Sequence, residues 1–361
     1  MGTCLDRRNI NRLWEQEMEL NYKIKGILDK AFDEQPISRP EALTLMAIDL
    51  LSPEMYALCA VANEVSRRHF NNLGEIYAQI GLDFAPCPGN CEFCSFGSDH
   101  GIVKSVIEYP AENIARAAKI CEDQGANGVY LMTTARYRFE KFLDVAREVR
   151  QAVSPEFPMV ANIGDFNEDH ARELADLGFK AVYHAVRLNE GKGTGFSIQR
   201  RVKSIAAARK AGLALHFCVE PVGPEHTPEE QVDLMFLGRE LGVTFSGAMR
   251  RVCVPGTKVA DRGNITWWSL ARTVAVCRLV MMDTVLGHCT HEPNLPALLA
   301  GANLLWAEMG PNPRDDRPDT ENSRGMGIKQ CQELLTEAGY DIRRGPAITA
   351  IATPERRSVR T

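Results

Sequence analysis

The chain has 361 residues, 45% hydrophobic and 25% charged, with a formal net charge of -5. That is the composition of a soluble globular protein with ample material for a core. The acidic balance argues against nucleic acid as the main partner, because phosphate binding needs a basic face. No run reaches the roughly 18 apolar residues of a membrane span, so no membrane association is expected. The opening Met-Gly-Thr-Cys-Leu-Asp has no signal-peptide core. Gly2 does not complete a myristoylation pattern either, since Asp6 stands where Ser or Thr is required. A cytoplasmic protein is expected, and its eleven cysteines lie without a disulfide framework pattern.

In chain order, residues 8–72 read as helices. Ser38-x-x-Glu41 is a capping box, and Ser52-Pro53-Glu54 opens a further helix with proline at its first position. From Glu75 the texture changes to alternating strand and helix. Apolar runs fall at Ile76–Leu82, Gly128–Thr134, Pro158–Ile163, Ala181–Arg187, Ala214–Pro221, Phe245–Cys253, Thr284–Cys289 and Ala302–Glu308. Helical patterns separate them, at Pro110–Asp123, Glu140–Ala152, Asn167–Leu177, Ile198–Ala211, a segment capped by Thr227-Pro-Glu-Glu230, and Trp267–Met282. Eight such runs alternating with helices predict parallel βα units closing into a (β/α)8 TIM-type barrel. The expected organisation is an N-terminal helical extension (residues 1–74), the barrel (75–310), and a C-terminal helix (Gly327–Ala338) and tail packing on the barrel (311–361). The basic end, Pro354–Thr361, reads as frayed.

Between the first two runs lies Ala85-Pro-Cys87-Pro-Gly-Asn-Cys91-Glu-Phe93-Cys94-Ser-Phe-Gly97. Its Pro, Gly and Asn content makes it a loop, and C-x3-C-x2-C lets three thiolates turn onto one centre. Three cysteines would hold an iron–sulfur cubane with one iron left open. The same thiols with His100 or Asp99 would suit a structural zinc.

The triplet, with an aromatic residue just before its last cysteine, resembles the signature of radical SAM enzymes. That resemblance implies that Cys87, Cys91 and Cys94 hold a 4Fe-4S cluster. It implies that S-adenosylmethionine (SAM) chelates the open iron with Phe93 near its adenine. It further implies that reduction releases a 5'-deoxyadenosyl radical, which abstracts hydrogen from a small-molecule substrate. An electron donor such as ferredoxin or flavodoxin goes with it. From about residue 38 to 340 the chain is most similar to the biotin synthase-like branch, which includes biotin synthase, a maturase of iron-iron hydrogenase, and methylornithine synthase. Pro40-Glu-Ala-Leu, Ala62–Phe70, Val254–Asp261, Ala271–Met282 and Leu298–Leu304 carry the likeness. In Tyr183-His-Ala-Val-Arg187-Leu-Asn189-Glu190, Arg187 matches an arginine that helps bind SAM. Either Asn189 or Glu190 then takes the following acidic position.

Biotin synthase also holds a two-iron cluster. Leu131, Val160 or a neighbour, and His288 stand where three of its ligands are expected, and Cys218 lies within a residue or two of the fourth; at least two ligands are absent, so biotin synthase itself is not expected. Cys218, Cys253 and Cys289 still end strands five to seven beside His288. They could bind a second iron–sulfur cluster or a substrate, or pack as small hydrophobes. His288 reads as a substrate contact. Alternation points one of Arg250 and Arg251 inward, where it could bind a carboxylate or phosphate or stand as a solvated charge. Cys59, Cys121, Cys277 and Cys331 read as packing. The expected activity is radical SAM chemistry in cofactor or unusual amino acid biosynthesis. Sulfur insertion of the biotin or lipoyl type, radical methyl transfer, and a zinc- or cluster-binding scaffold are the alternatives.

Overall fold

A computed structural model describes residues 20–351. Gly2, Cys4, the start of the helical reading at residue 8, and the basic end Pro354–Thr361 lie outside the described residues. Three helices precede the first strand: α1 (Tyr22–Phe32), α2 (Arg39–Met46) and α3 (Pro53–His69). Their starts follow from local chemistry. The Ser38 amide donates to the Glu41 carboxylate at 2.6 Å, which satisfies an otherwise orphaned backbone donor. Pro53 opens α3, where a missing N–H costs nothing.

Eight parallel strands then form a closed ring: β1 (Leu73–Gly81), β2 (Gly128–Met132), β3 (Met159–Asn162), β4 (Phe179–Tyr183), β5 (Ala214–His216), β6 (Phe245–Arg250), β7 (Gly287–His291) and β8 (Leu304–Met309). Each pairs with the next, and β8 returns to β1 through a register that sets Glu75 beside Leu304. Helices α4 (Ala111–Asp123), α5 (Phe139–Ala152), α6 (Glu168–Asp176), α7 (Ile198–Lys210), α8 (Pro228–Glu240), α9 (Trp267–Met281) and the short α10 (Leu295–Leu299) connect them. This is the predicted TIM-type barrel. Two runs differ in detail. The fifth breaks after His216 and resumes as Val219–Val222, still paired with β6. The seventh begins at Gly287, because Met282–Thr284 makes one 3-10 turn first.

Alternation along parallel strands fills the barrel interior with aromatic rings. Tyr77 meets Tyr130 edge-on at 5.2 Å between centroids, Phe245 meets Trp306 at 5.3 Å, and His216 stacks on Phe245 at 4.6 Å. After α11 (Ile328–Glu337), a two-residue strand, Asp341–Ile342, pairs with the start of β1. The following segment closes the N-terminal mouth: the Tyr77 hydroxyl and Thr349 Oγ1 share a hydrogen bond of 2.6 Å, and the buried Glu75 carboxylate accepts from the Ile348 amide at 2.8 Å. With that end sealed, the interior opens at the C-terminal ends of the strands, where sites form in this fold. Among the described residues, no helix is long and apolar enough to cross a membrane.

Candidate active site

A cavity of about 1280 Å3, mouth included, occupies that end and is lined by Cys87, Cys91 and Cys94 together with Phe93. The cysteine loop is held by its own backbone. The Cys87 amide donates to the Phe96 carbonyl at 2.6 Å, the Cys94 amide to Cys91 at 3.0 Å, and the Ser98 amide to Cys87 at 3.1 Å. Phe84 and Phe96 meet edge-on at 5.6 Å beneath it as a small core separate from the barrel. Two other segments clamp the loop from outside. The amide of Glu92 donates to Gly193 at 2.9 Å and that of Gly195 to Gly89 at 2.7 Å, while the Ser95 amide reaches Pro313 at 3.0 Å. At Gly89 an added Cβ would lie 2.5 Å from the Phe196 ring, so this close approach requires glycine.

The donor set tests which group fits. Burial pushes the Cys91 thiol up to about 11 and the Cys94 thiol higher still, with the nearby Cys87 adding to the rise at both. Buried thiols this hard to ionise need a cationic centre to hold them as thiolates. One tetrahedral zinc would need sulfurs about 2.3 Å from a single point. Among the described residues no three His, Cys, Asp or Glu side chains converge that way. His100 turns Nδ1 to the Cys94 carbonyl at 2.9 Å, and Asp99 is exposed. Three thiols lining one cavity suit an iron–sulfur cluster, which takes cysteine thiolates as its ligands.

Residues 85–238 match the radical SAM superfamily. The chain carries a radical SAM domain. It is a radical SAM enzyme similar to those of the biotin synthase-like branch. It is 29% identical over 334 residues to the biotin synthase of Desulforudis audaxviator, covering 88% of this chain and 97% of that one. It is 24% identical over 326 residues to that of Carboxydothermus hydrogenoformans, covering 85% and 99%. Methylornithine synthase shares its fold at a TM-score of 0.74, with 17% identity over 90% of this chain and 98% of that one. HydG, a maturase of the FeFe-hydrogenase, does so at 0.75, with 15% identity over 99% and 82%. The family match implies a 4Fe-4S cluster and SAM.

The other candidates separate. Arg187 lines the cavity and pairs with Glu220 at 3.1 Å. Burial would lower its guanidinium, but Glu220 and Glu190 together raise it, so the charge is permanent. Glu190 itself is buried behind the cavity. It accepts from the Arg187 amide at 3.0 Å and from the Thr194 hydroxyl, and lies 3.7 Å from Arg201. Asn189 is exposed in the left-handed region at φ 62°; of the pair, only Glu190 touches the arginines.

Strands five to seven also divide. Cys218 and Cys289 face each other inside the barrel with their sulfurs 3.0 Å apart. Room for them comes from Gly247, where a Cβ would sit 2.5 Å from the Cys289 sulfur. Cys253 lies beyond the end of β6 and off the cavity. His288 requires correction as a substrate contact. Its Nε2 lies 3.1 Å from the Val274 carbonyl of α9, on the outer face of β7, because the alternation that turns Cys289 inward turns its neighbour outward. The expected position of Leu131 shifts similarly, since Tyr130 and Met132 line the cavity from β2. Cys59, Cys121, Cys277 and Cys331 are buried packing residues as expected.

Sequence reading missed a cluster next to Arg187. His184 Nε2 lies 3.2 Å from Asp165 and 3.3 Å from Arg201. Burial pushes His184 down to about 4, which leaves it neutral at physiological pH. Burial works to raise Asp165 too, but the His184 hydrogen bond and the charge of Arg201 outweigh it and hold the carboxyl below its usual range. The available signal was position: His184 directly follows β4, and Asp165 lies in the loop just past the end of β3.

Proposed function

We propose that this enzyme reductively cleaves SAM and abstracts hydrogen from a small molecule enclosed in the barrel, in the making of a cofactor or an unusual amino acid. The observation that carries this reading is the convergence of Cys87, Cys91, Cys94, Phe93 and Arg187 on one cavity at the C-terminal face. A bound 4Fe-4S cluster supplies the electron that splits SAM into methionine and a 5'-deoxyadenosyl radical, with ferredoxin or flavodoxin as the electron donor. The chain's own residues hold and shield. Cys87, Cys91 and Cys94 would hold the cluster. Phe93 would offer a ring face to the adenine and Arg187 a fixed charge to the SAM carboxylate. Glu190 keeps Arg187 and Arg201 in place from behind. Tyr130, Tyr183 and Trp306 wall the floor and exclude water, which a primary carbon radical requires.

Hydrogen abstraction without sulfur insertion is favoured by the thiol count inside the barrel. Cys218 and Cys289 make a pair, with neither Cys253 nor His288 beside them. Anaerobic reconstitution tests this. About four irons per chain are expected, with deoxyadenosine formed on adding SAM and dithionite. About eight irons would revive the sulfur-insertion reading, and no iron would remove both.

A further inference from the structure

Five arginines line the cavity: Arg187, Arg201, Arg250, Arg251 and Arg314. Four have a carboxylate. Arg187 pairs with Glu220 at 3.1 Å, Arg201 with Asp165 at 3.2 Å, Arg251 with Glu225, and Arg314 with Glu292 at 3.0 Å. Among the described residues, Arg250 has no carboxylate within 4.0 Å, the distance that defines those pairs. The acid that acts on it through space, Glu292, is already bonded to Arg314 and Arg324.

Arg250 is nevertheless held in place. Its guanidinium lies 3.2 Å over the centre of the Trp267 ring, and Nη1 donates to the Ile265 carbonyl at 3.1 Å. Its Nε is buried with no hydrogen-bond partner. A fixed guanidinium at a cavity wall, with one positive charge unopposed and a donor unused, lacks an anion. We propose that Arg250 binds the carboxylate of the substrate, whose apolar body lies against Met249 and Trp306. A phosphate would carry close to two charges, and this corner offers one cation free to meet them. The inference rests on the radical SAM reading for what happens to the bound molecule, but not for the binding itself.

The test uses hexanoate as probe, with hexanol and hexyl phosphate as controls. Binding to the full chain is followed by calorimetry for the unsubstituted protein, Arg250→Gln and Arg250→Lys. Hexanoate is expected to bind more tightly than either control. In Arg250→Gln it should weaken about ten-fold or more, as loss of a charged hydrogen bond implies, with Arg250→Lys falling between. Equal binding by Arg250→Gln, no saturable hexanoate binding, or preference for hexanol or hexyl phosphate would each overturn the proposal. Should Arg250→Gln not fold, the selectivity of the unsubstituted protein and Arg250→Lys still decide it. Failure of the protein to cleave SAM would remove the radical reading and leave this result standing, so the two failures are distinguishable.

Discussion

Glu190 is the single residue on which the site's electrostatics converge. Its side chain is fully buried and faces both Arg187 and Arg201. Glu190→Gln would leave two buried arginines with less opposing charge, each keeping one other acid. A loss of roughly 2–3 kcal/mol of stability is expected from such a broken buried network, read as a lower urea midpoint with weaker SAM binding. An unchanged midpoint would contradict this role. At this scale the sequence was informative where chemistry is local. The cysteine triplet could be read because its members share one loop. The cluster of Asp165, His184 and Arg201 could not, because its members come from three segments that only the closed barrel brings together. His288 was misread because a one-residue ambiguity in strand register exchanges the two faces.

Elements were legible where pattern and capping agreed. The capping boxes at Ser38 and Thr227 form in the structure, and each of the eight apolar runs overlaps a strand. What composition could not show was the seal at the barrel's N-terminal end, since Ala347-Ile-Thr-Ala350 reads as an unremarkable tail. Thr349 there hydrogen-bonds Tyr77 and the buried Glu75 carboxylate. Thr349→Val keeps the shape and removes the hydroxyl, so it should cost about 1–3 kcal/mol by leaving buried polar groups unsatisfied. A melting temperature equal to that of the parent protein would show the segment to be dispensable. Gly247→Ala should be more damaging, because its Cβ would lie 2.2 Å from the Cys289 carbonyl oxygen with backbone on both sides. A fall in soluble yield and in melting temperature is expected, and a variant as stable as the parent would contradict this packing of β6 against β7.

For the whole molecule, the buried histidines set the pH response. Burial pushes His184 down to about 4 and holds His288 and His291 well below the ordinary value, with nearby arginines adding to the effect. The unfolded chain therefore takes up these protons near pH 6.5, while the folded chain does so only at lower pH. Their stability contribution is fully present above about pH 6.5 and is lost as pH falls toward 4, by up to roughly 1.4 kcal/mol per pH unit for each histidine. The urea midpoint should thus be lower at about pH 5 than at about pH 7.5. An equal or higher midpoint at the lower pH would contradict the burial of these imidazoles. The same closed barrel that buries them encloses the cavity, with one mouth sealed by the C-terminal segment and the other framed by the cysteine loop. The most direct measurement is iron and sulfide per chain in anaerobically reconstituted protein, together with deoxyadenosine formed on adding SAM and dithionite, for the parent chain and for Cys87→Ala, Cys91→Ala and Cys94→Ala. About four irons and deoxyadenosine formation in the parent, both lost in each variant, is the predicted result. Iron retained by the variants, or a fully reduced cluster that leaves SAM intact, would contradict the assignment of these three cysteines and of the chemistry built on them.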